Sequence, residues 1–282
     1  MPVSWASSAV NRSVAVAVVL GALQGVLEWL PVSSEGNVAV VLAALGESPT
    51  TAVLYGLFLH AGTAVSAAAY YRREFGDVLR TAADWRPGSA FAAETATLTY
   101  LVVATLTSGV VGVVAFLALE SLVSALTGGA FVALVGGLLV ATGVLQRVAG
   151  GTGLGGRGAP DAVDALVVGA LQGLAVLPGV SRSGTTASAL LLRGHDGEAA
   201  FRLSFLLSVP AALGAAGLAV AEHGGLPSVA PVPALVAVVT AAVVGYLSID
   251  ALLRVVRRLA FWAVCVGLGA LAVLGGVLVA LV

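Results

Sequence analysis

Lysine is absent from this chain: its thirteen basic residues are all arginines, set against fourteen acidic residues. Such one-sided usage reads as a bias of coding or environment, and it removes the lysine that a nucleotide-binding P-loop requires. The glycine-rich run at 150–156 is therefore read as a linker. Cysteine is almost as scarce. Cys265 stands alone, so no internal disulfide and no redox compartment follow. The histidines, His60, His195 and His223, show no spacing that suits zinc. Charge of either sign is short as well. Charged residues make up 10% of the chain, where a soluble domain carries about 25%, while hydrophobic residues reach 59% and mean hydropathy is +1.06. These shortages exclude an ordinary soluble globule and lead to an all-α polytopic membrane protein.

What the chain does have is a series of apolar runs, two of them broken by polar turns. Residues 13–30 form an apolar stretch that stops at Pro31, too short for a comfortable span. It flows into Gln24 and Glu28 without a small-x-small cleavage site, which argues against a secretory signal. A second short piece, 38–45, follows the turn Pro-Val-Ser-Ser-Glu-Gly-Asn, and the two together predict a re-entrant hairpin. Full spans are expected at 51–71, closed by the interface anchor Tyr70-Tyr71-Arg72-Arg73, and at about 96–119 and 129–146. The polar loop at 72–94 mixes both signs of charge, which suits a solvated face and not a nucleic-acid surface, so no nucleic-acid partner is expected. A linker at 150–158 leads to the second broken segment, 162–192, and three spans close the chain near 201–222, 232–253 and 259–281. Small residues such as Gly136, Gly137, Gly214 and Gly217 suit close helix packing, and a homodimer remains open.

The chain repeats itself. Gly-Ala-Leu-Gln-Gly at 21–25 recurs at 169–173, and with the same offset Val32-Ser33 matches Val180-Ser181 and Gly36 matches Gly184. A single membrane domain, 1–282, is expected with halves at about 1–147 and 148–282, each one re-entrant hairpin plus three transmembrane helices. An odd number of crossings per half inverts the second half. If the hairpins do not cross, Arg72, Arg73, Arg80, Arg86, Arg147, Arg157, Arg193, Arg202, Arg254, Arg257 and Arg258 all fall on one side, leaving Arg12 opposite and Arg182 within the membrane. The positive-inside rule makes the arginine-rich side cytoplasmic and places both termini outside a cell membrane that the chain crosses several times.

The two turns carry the chemistry. Residues 178–186, Pro-Gly-Val-Ser-Arg-Ser-Gly-Thr-Thr, set Arg182 among Ser181, Ser183, Gly184 and Thr185. A cation at membrane depth costs roughly 2.5–3.5 kcal/mol on insertion scales, so an anion is expected beside it. An arginine fork, hydroxyls and a restarting helix N-terminus converge on phosphate. In the first hairpin Gln24 and Glu28, four apart, share a helix face, and Ser33, Ser34, Glu35 and Asn37 follow at the turn. Inverted repeats bring such turns together near the midplane. Glu28 and Arg182 then form either a structural ion pair or a phosphate site in which Glu28 is a base or metal ligand, and turns this rich in serine favour the site. His60, alone in a span, reads as a hydrogen-bonding partner for a neighbouring helix.

At these residues the chain resembles the integral-membrane undecaprenyl-pyrophosphate phosphatases, also called the bacitracin-resistance family. Gln24 to Ser34 looks like the family's first signature, a Glu or Gln four before a Glu and then Pro-Val-Ser-Ser-Thr-Gly-His, and 178–186 matches its second, Pro-Gly-x-Ser-Arg-Ser-Gly-x-Thr. Residues 198–210 resemble the segment that follows. The resemblance implies hydrolysis of a polyprenyl pyrophosphate, undecaprenyl- or dolichyl-type, to the monophosphate, recycling the lipid carrier for envelope or glycan synthesis, with a divalent cation such as Mg²⁺. It further implies Ser34 as nucleophile, Arg182 as phosphate clamp, and Glu28 with Gln24 as the acid–base or metal-binding pair. Ser33, Asn37, Ser181, Ser183, Gly184 and Thr185 join Gln24 as substrate-binding candidates. The chain departs from the family where Asn37 replaces histidine and Glu35 replaces threonine. Without that histidine Glu28 becomes the candidate base, Glu35 a candidate metal ligand, and a metal-activated water a rival to Ser34. A transporter or flippase for a polyprenyl phosphate or another anionic lipid, without hydrolysis, is the alternative from a different class.

Overall fold

The computed structural model describes residues 14–123, 125–151, 155–222, 231–256 and 259–281. Arg12, His223, Arg257 and Arg258 lie outside them. The described residues form helices and turns with one isolated bridge between Arg157 and His195. Two short helices, α1 (Val14–Leu27) and α2 (Ser34–Ala44), precede α3 (Pro49–Tyr70), a short α4 (Arg72–Arg80), α5 (Ala96–Val123) and α6 (Gly128–Gly150). A second short pair, α7 (Ala162–Leu174) and α8 (Arg182–Leu192), precedes α9 (Gly197–Glu222), α10 (Pro231–Val256) and α11 (Phe261–Leu281). Six of them, α3, α5, α6, α9, α10 and α11, are long and apolar enough to cross a membrane. The chain is a multi-pass membrane protein, and large hydrophobics such as Leu106, Val110 and Leu247 face outward from α5 and α10.

Local chemistry sets the boundaries. Ser48 caps α3, accepting from Thr51 N at 3.2 Å, with Pro49 in the first turn where its missing N–H costs nothing. Thr127 caps α6 in the same way. Asp161 and Asp164 close a reciprocal capping box at α7, each carboxylate accepting the other's backbone N–H at 2.8 and 2.9 Å. Ser33 and Ser181 cap α2 and α8, accepting from Gly36 N and Gly184 N at 3.2 Å in both cases.

The repeated pentapeptide packs alike in its two copies. α1 lies along α10, and α7 along α5. A Cβ on Gly21 would stand 2.3 Å from Ala237 O, and one on Gly169 2.6 Å from Ala104 O; Gly25 and Gly173 meet α10 and α5 at 2.8 Å or less. Both short helices therefore press backbone against backbone, which only glycine allows. α3 packs on α9, and α6 on α11.

Two segments differ from expectation. The loop at 72–94 contains α4 and two short 3₁₀ turns, and α4 is held down by buried Val78 and by Arg202, whose guanidinium reaches Glu74 at 2.8 Å. The end of the linker is also fixed. Arg157 N donates to Gly194 O, and its guanidinium reaches Asp161 and Asp164, which also bind Arg193. His195, fully buried, completes this cluster with Nε2 3.0 Å from Asp164. The network clamps the open end of the α7–α8 pair; residues 152–154 of the linker lie outside the described residues.

Candidate functional site

The turn between α1 and α2 and the turn between α7 and α8 touch at their backbones. Gly179 N donates to Ser33 Oγ at 3.2 Å, and a Cβ on Gly36 would stand 2.7 Å from Gly179 N. Ser33 thus accepts two backbone N–H groups, one from each turn, and does so from a left-handed backbone (φ 57°), the only positive φ at a non-glycine among the described residues. That conformation costs a non-glycine residue of order 1 kcal/mol, and such strain gathers at functional sites. Gly179 also has positive φ, 102°, and faces Val135 O closely, a place closed to any side chain. Pro31 O is held by Gln146 Nε2 at 2.7 Å and Cys265 Sγ at 3.0 Å, so the first turn is anchored from α6 and α11.

Residues at equivalent places in the two copies meet across this contact. Ser34 and Arg182 each follow the capping serine and open α2 and α8. Both converge on Glu28, just past the end of α1. Arg182 Nη2 donates to Glu28 Oε1 at 2.6 Å, and Ser34 Oγ donates to Oε2 at 2.8 Å. Gln24, completely buried beneath, donates its amide to the same Oε2 at 3.0 Å, as the shared helix face required. The second Nη of Arg182 reaches Ser204 O on α9 at 3.3 Å. Ser183 donates to Leu30 O at 3.4 Å across the two turns. The arrangement exceeds the needs of an ion pair: one carboxylate is met by a guanidinium, a hydroxyl and an amide, at the positive ends of two helices.

Not every candidate points inward. Asn37 turns back on its own segment and donates to Val32 O and Ser33 O at 2.9 Å. Thr185 likewise bonds to Ser181 O and Arg182 O, and Gly184 serves the cap of α8 and a close contact with Gln146. These three support the turn and do not line the recess formed by Glu28, Ser34, Glu35, Arg182, Ser181 and Ser183.

His60 is the residue that the sequence did not place. It stands on α3, its Nδ1 2.9 Å from Gly56 O and its Nε2 3.5 Å from Glu28 Oε2. A carbonyl only accepts, so Nδ1 carries the proton and Nε2 is the nitrogen turned to the carboxylate. An ionisable side chain in the middle of a span was the available signal.

Glu35 is buried in the same recess, and its Oε1 has no hydrogen-bond partner in the protein. Gly56 makes room for it, since a Cβ there would stand 3.0 Å from Glu35 Cγ. Among the described residues no three His, Cys, Asp or Glu side chains gather into a metal cage. A hard cation held by one carboxylate and completed by ligand phosphates asks for less, and Glu35 fits that donor set. Both oxygens of Glu28 are already engaged.

Next to the recess runs a cavity of about 410 Å³ between α5 and α9, apolar along most of its length. Glu35, His60, Ala175 and Arg182 line both, so the polar recess opens into the apolar groove.

Residues 17–273 match the family described as "Bacitracin resistance protein BacA". The chain is similar to an undecaprenyl-diphosphatase of Haloarcula marismortui, 57% identical over 94% of this chain and 98% of the relative. It is also similar to proteins of the same name from Methanococcoides burtonii, 38% identical over 93% and 98%, and Methanopyrus kandleri, 39% identical over 92% and 94%.

Proposed function

We infer that this chain, which belongs to the bacitracin resistance protein BacA family, is a membrane-embedded phosphatase that hydrolyses undecaprenyl diphosphate, or a polyprenyl diphosphate like it, to the monophosphate. The observation that carries the reading is the convergence of Ser34 and Arg182 on Glu28 where two helix N-termini meet. The relatives are named as hydrolases, which favours hydrolysis over transport.

In this reading the terminal phosphate enters the recess and draws Arg182 from Glu28 Oε1 onto its oxygens, where the guanidinium meets the charge that builds in phosphoryl transfer. Backbone N–H groups at the starts of α2 and α8 add to the same field. Ser34 already donates to Glu28 Oε2 at 2.8 Å, so Glu28 takes its proton as Oγ bonds to the terminal phosphorus. The bond from that phosphorus to the bridging oxygen breaks, and the polyprenyl monophosphate leaves with the electron pair and takes the proton that Glu28 holds. Glu28 then removes a proton from water as the water oxygen bonds to the phosphoserine phosphorus, and passes it to Ser34 Oγ as that oxygen leaves, which frees inorganic phosphate and restores both side chains. His60 Nε2, whose lone pair faces Glu28 Oε2 at 3.5 Å, is placed to accept from the carboxyl group once Glu28 has taken a proton. Gln24 fixes its rotamer from below. Glu35, whose buried Oε1 has no partner in the protein, would hold a divalent cation such as Mg²⁺. When bound, that cation supplies neutralisation of the phosphoryl oxygens.

The two short helix pairs read as re-entrant hairpins of an inverted repeat, supported by the matched packing of α1 on α10 and α7 on α5. With the arginine-bearing loops in the cytoplasm, the ends of the chain lie on the other side. The test is phosphate release from undecaprenyl diphosphate by purified full-length protein with Mg²⁺. Wild type is expected to turn over, and Glu28→Gln to lose at least about 10²-fold, the lower range for a general base. Equal rates for the two proteins would remove Glu28, and with it this assignment.

A further inference from the structure

One carbonyl in each of the two turns is held by a side chain of α6. Pro31 and Gly179 stand at equivalent places in the repeat, with the offset that relates Gln24 to Gln172, and each lies three residues before Ser34 or Arg182. Gln146 donates its amide to Pro31 O at 2.7 Å. Thr142 donates its hydroxyl to Gly179 O and accepts from Ser181 N, both at 3.4 Å. The two side chains are four apart, so they share one face of α6 with one helical turn between them. Matching carbonyls from the two turns are thus gripped at neighbouring positions on a single helix.

This use of Thr142 departs from what hydroxyls do elsewhere in the spans. Thr63, Ser66, Ser108 and Ser208 each donate to the carbonyl three residues back on their own helix, the default for a hydroxyl in an apolar span. Thr142, 3% exposed, turns instead to the second turn. Gly184 leaves the way to Pro31 open for Gln146, because a Cβ there would stand 2.6 Å from Nε2. Neither side chain lines the polar recess or the cavity beside it. They reach the site only through the backbone of the turns.

α6 is itself fixed. Gly129, Gly136 and Gly143 all face α11, where a Cβ would stand 2.6, 2.5 and 2.8 Å from Gly276 O, Gly269 O and Trp262 O. Backbone contact at three levels joins the two helices into one unit, and Cys265 of α11 adds the second donor to Pro31 O at 3.0 Å. Side chains rooted on such a pair have little freedom to follow a moving turn.

Resting on the phosphatase reading, we propose that Gln146 and Thr142 are positioning residues: α6 holds the Pro31 and Gly179 carbonyls in register and so keeps Ser34 and Arg182 at the separation at which both meet one phosphate. Attack by Ser34 on a phosphorus that Arg182 clamps tolerates little error, since reacting atoms must start about 3–3.5 Å apart. The turns also touch directly, through Ser33 Oγ and Ser183 Oγ, but those contacts join turn to turn, whereas α6 fixes both against one rigid surface. Lost register lengthens the approach of Ser34 to phosphorus without removing a group that binds substrate. The chemical step slows and binding does not change.

The experiment compares wild type, Gln146→Met, Thr142→Val and Thr142→Ser as full-length protein in nanodiscs. Gln146→Met keeps the length and loses the donor, Thr142→Val keeps the shape and loses the hydroxyl, and Thr142→Ser keeps the hydroxyl. Phosphate release from undecaprenyl diphosphate is measured per folded enzyme, and hydrogen exchange is resolved to single residues without substrate. In Gln146→Met and Thr142→Val, kcat and kcat/KM are expected to fall together by at least about tenfold, approaching the roughly 10²-fold cost of a misplacement of about 1 Å. Thr142→Ser is expected to stay within about threefold of wild type, since the lost interaction is the hydroxyl's. A merely structural role would lower stability and leave kcat of the folded enzyme unchanged. That result overturns the proposal, as does a loss carried by KM alone. If wild type releases no phosphate, the phosphatase reading is what fails, and the register is read from Gly179 N–H, whose acceptor Ser33 Oγ belongs to the other turn. Faster exchange there in Gln146→Met, whose lost bond is to the first turn, upholds the register; exchange equal to wild type overturns it.

Discussion

Removing the Arg182 guanidinium separates a structural ion pair from a reaction centre. The side chains of Arg182 and Glu28 are 12% and 5% exposed and meet at 2.6 Å. Arg182→Ala strands a buried carboxylate, which costs about 3–5 kcal/mol. Glu28→Gln in the same chain removes the stranded charge while an amide oxygen still accepts from Ser34 and Gln24, so the double variant recovers about 1–3 kcal/mol of coupling. Activity follows a different course. An arginine that stabilises phosphoryl transfer contributes roughly 10³–10⁵ in rate, and neither variant regains it. Stability is read from detergent-denaturation curves of the purified full chain and activity from phosphate release on the same preparations. A double variant that regains activity along with stability would show that the pair is only a staple. One as unstable as Arg182→Ala would show that the pair is not what couples the two turns.

Further outcomes follow from the same geometry. Ser34→Ala is expected to abolish covalent labelling by radioactive substrate and to lower kcat at least about 10²-fold; residual turnover near the wild-type rate would favour direct attack by water. Ser33→Ala removes the acceptor shared by Gly36 N and Gly179 N and should destabilise the protein by about 1–3 kcal/mol, with KM and kcat both disturbed because the two turns part. Gly21→Ala and Gly169→Ala, at matching places in the repeat, should each cost about 1–3 kcal/mol in the same denaturation assay, since each Cβ meets a carbonyl oxygen. A loss at one and not the other would break the equivalence of the halves. Asp161 lies outside the spans. Burial opposes its ionisation, but the Asp164 backbone N–H together with Arg157 and Arg193 holds its carboxyl down to about 2. A folded-state value below the ordinary one means that its contribution is complete above about pH 4 and is lost as pH falls towards 2. Opening at the start of α7, read by hydrogen exchange corrected for the intrinsic rate, should increase over that window, and Asp161→Asn, which keeps the cap and loses the charge, should remove that pH dependence.

The breaks in the helices were legible because they rest on local chemistry. Pro31 and Pro178 stop a helix wherever they stand, and Ser33 and Ser181 restart one by capping it. The meeting of Glu28 with Arg182 was legible for a different reason, since two opposite charges at membrane depth have few places to go. His60 was not. It is a lone residue on α3, and its approach to Glu28 depends on how α3 packs against the first hairpin, which no spacing encodes. Asn37 and Thr185 sit in the right motifs, yet their side chains serve the turn's own backbone, a choice made by rotamer and not by sequence position, while the Gly184 N–H is taken by the Ser181 cap. The ordered α4 escaped notice because its mixed charges read as a solvated loop, while Arg202, more than a hundred residues away, supplies the contact at Glu74.

A diphosphate head group held by the two contacting turns would lie between Ser34 and Arg182. The most direct measurement is a structure of the full chain with a polyprenyl methylene-diphosphonate, which cannot be cleaved at the bridging position. Terminal phosphonate oxygens are expected within hydrogen-bond distance of Arg182 and Ser34, with the Arg182–Glu28 contact lengthened. A head group bound elsewhere, with that contact intact at 2.6 Å, would contradict this placement.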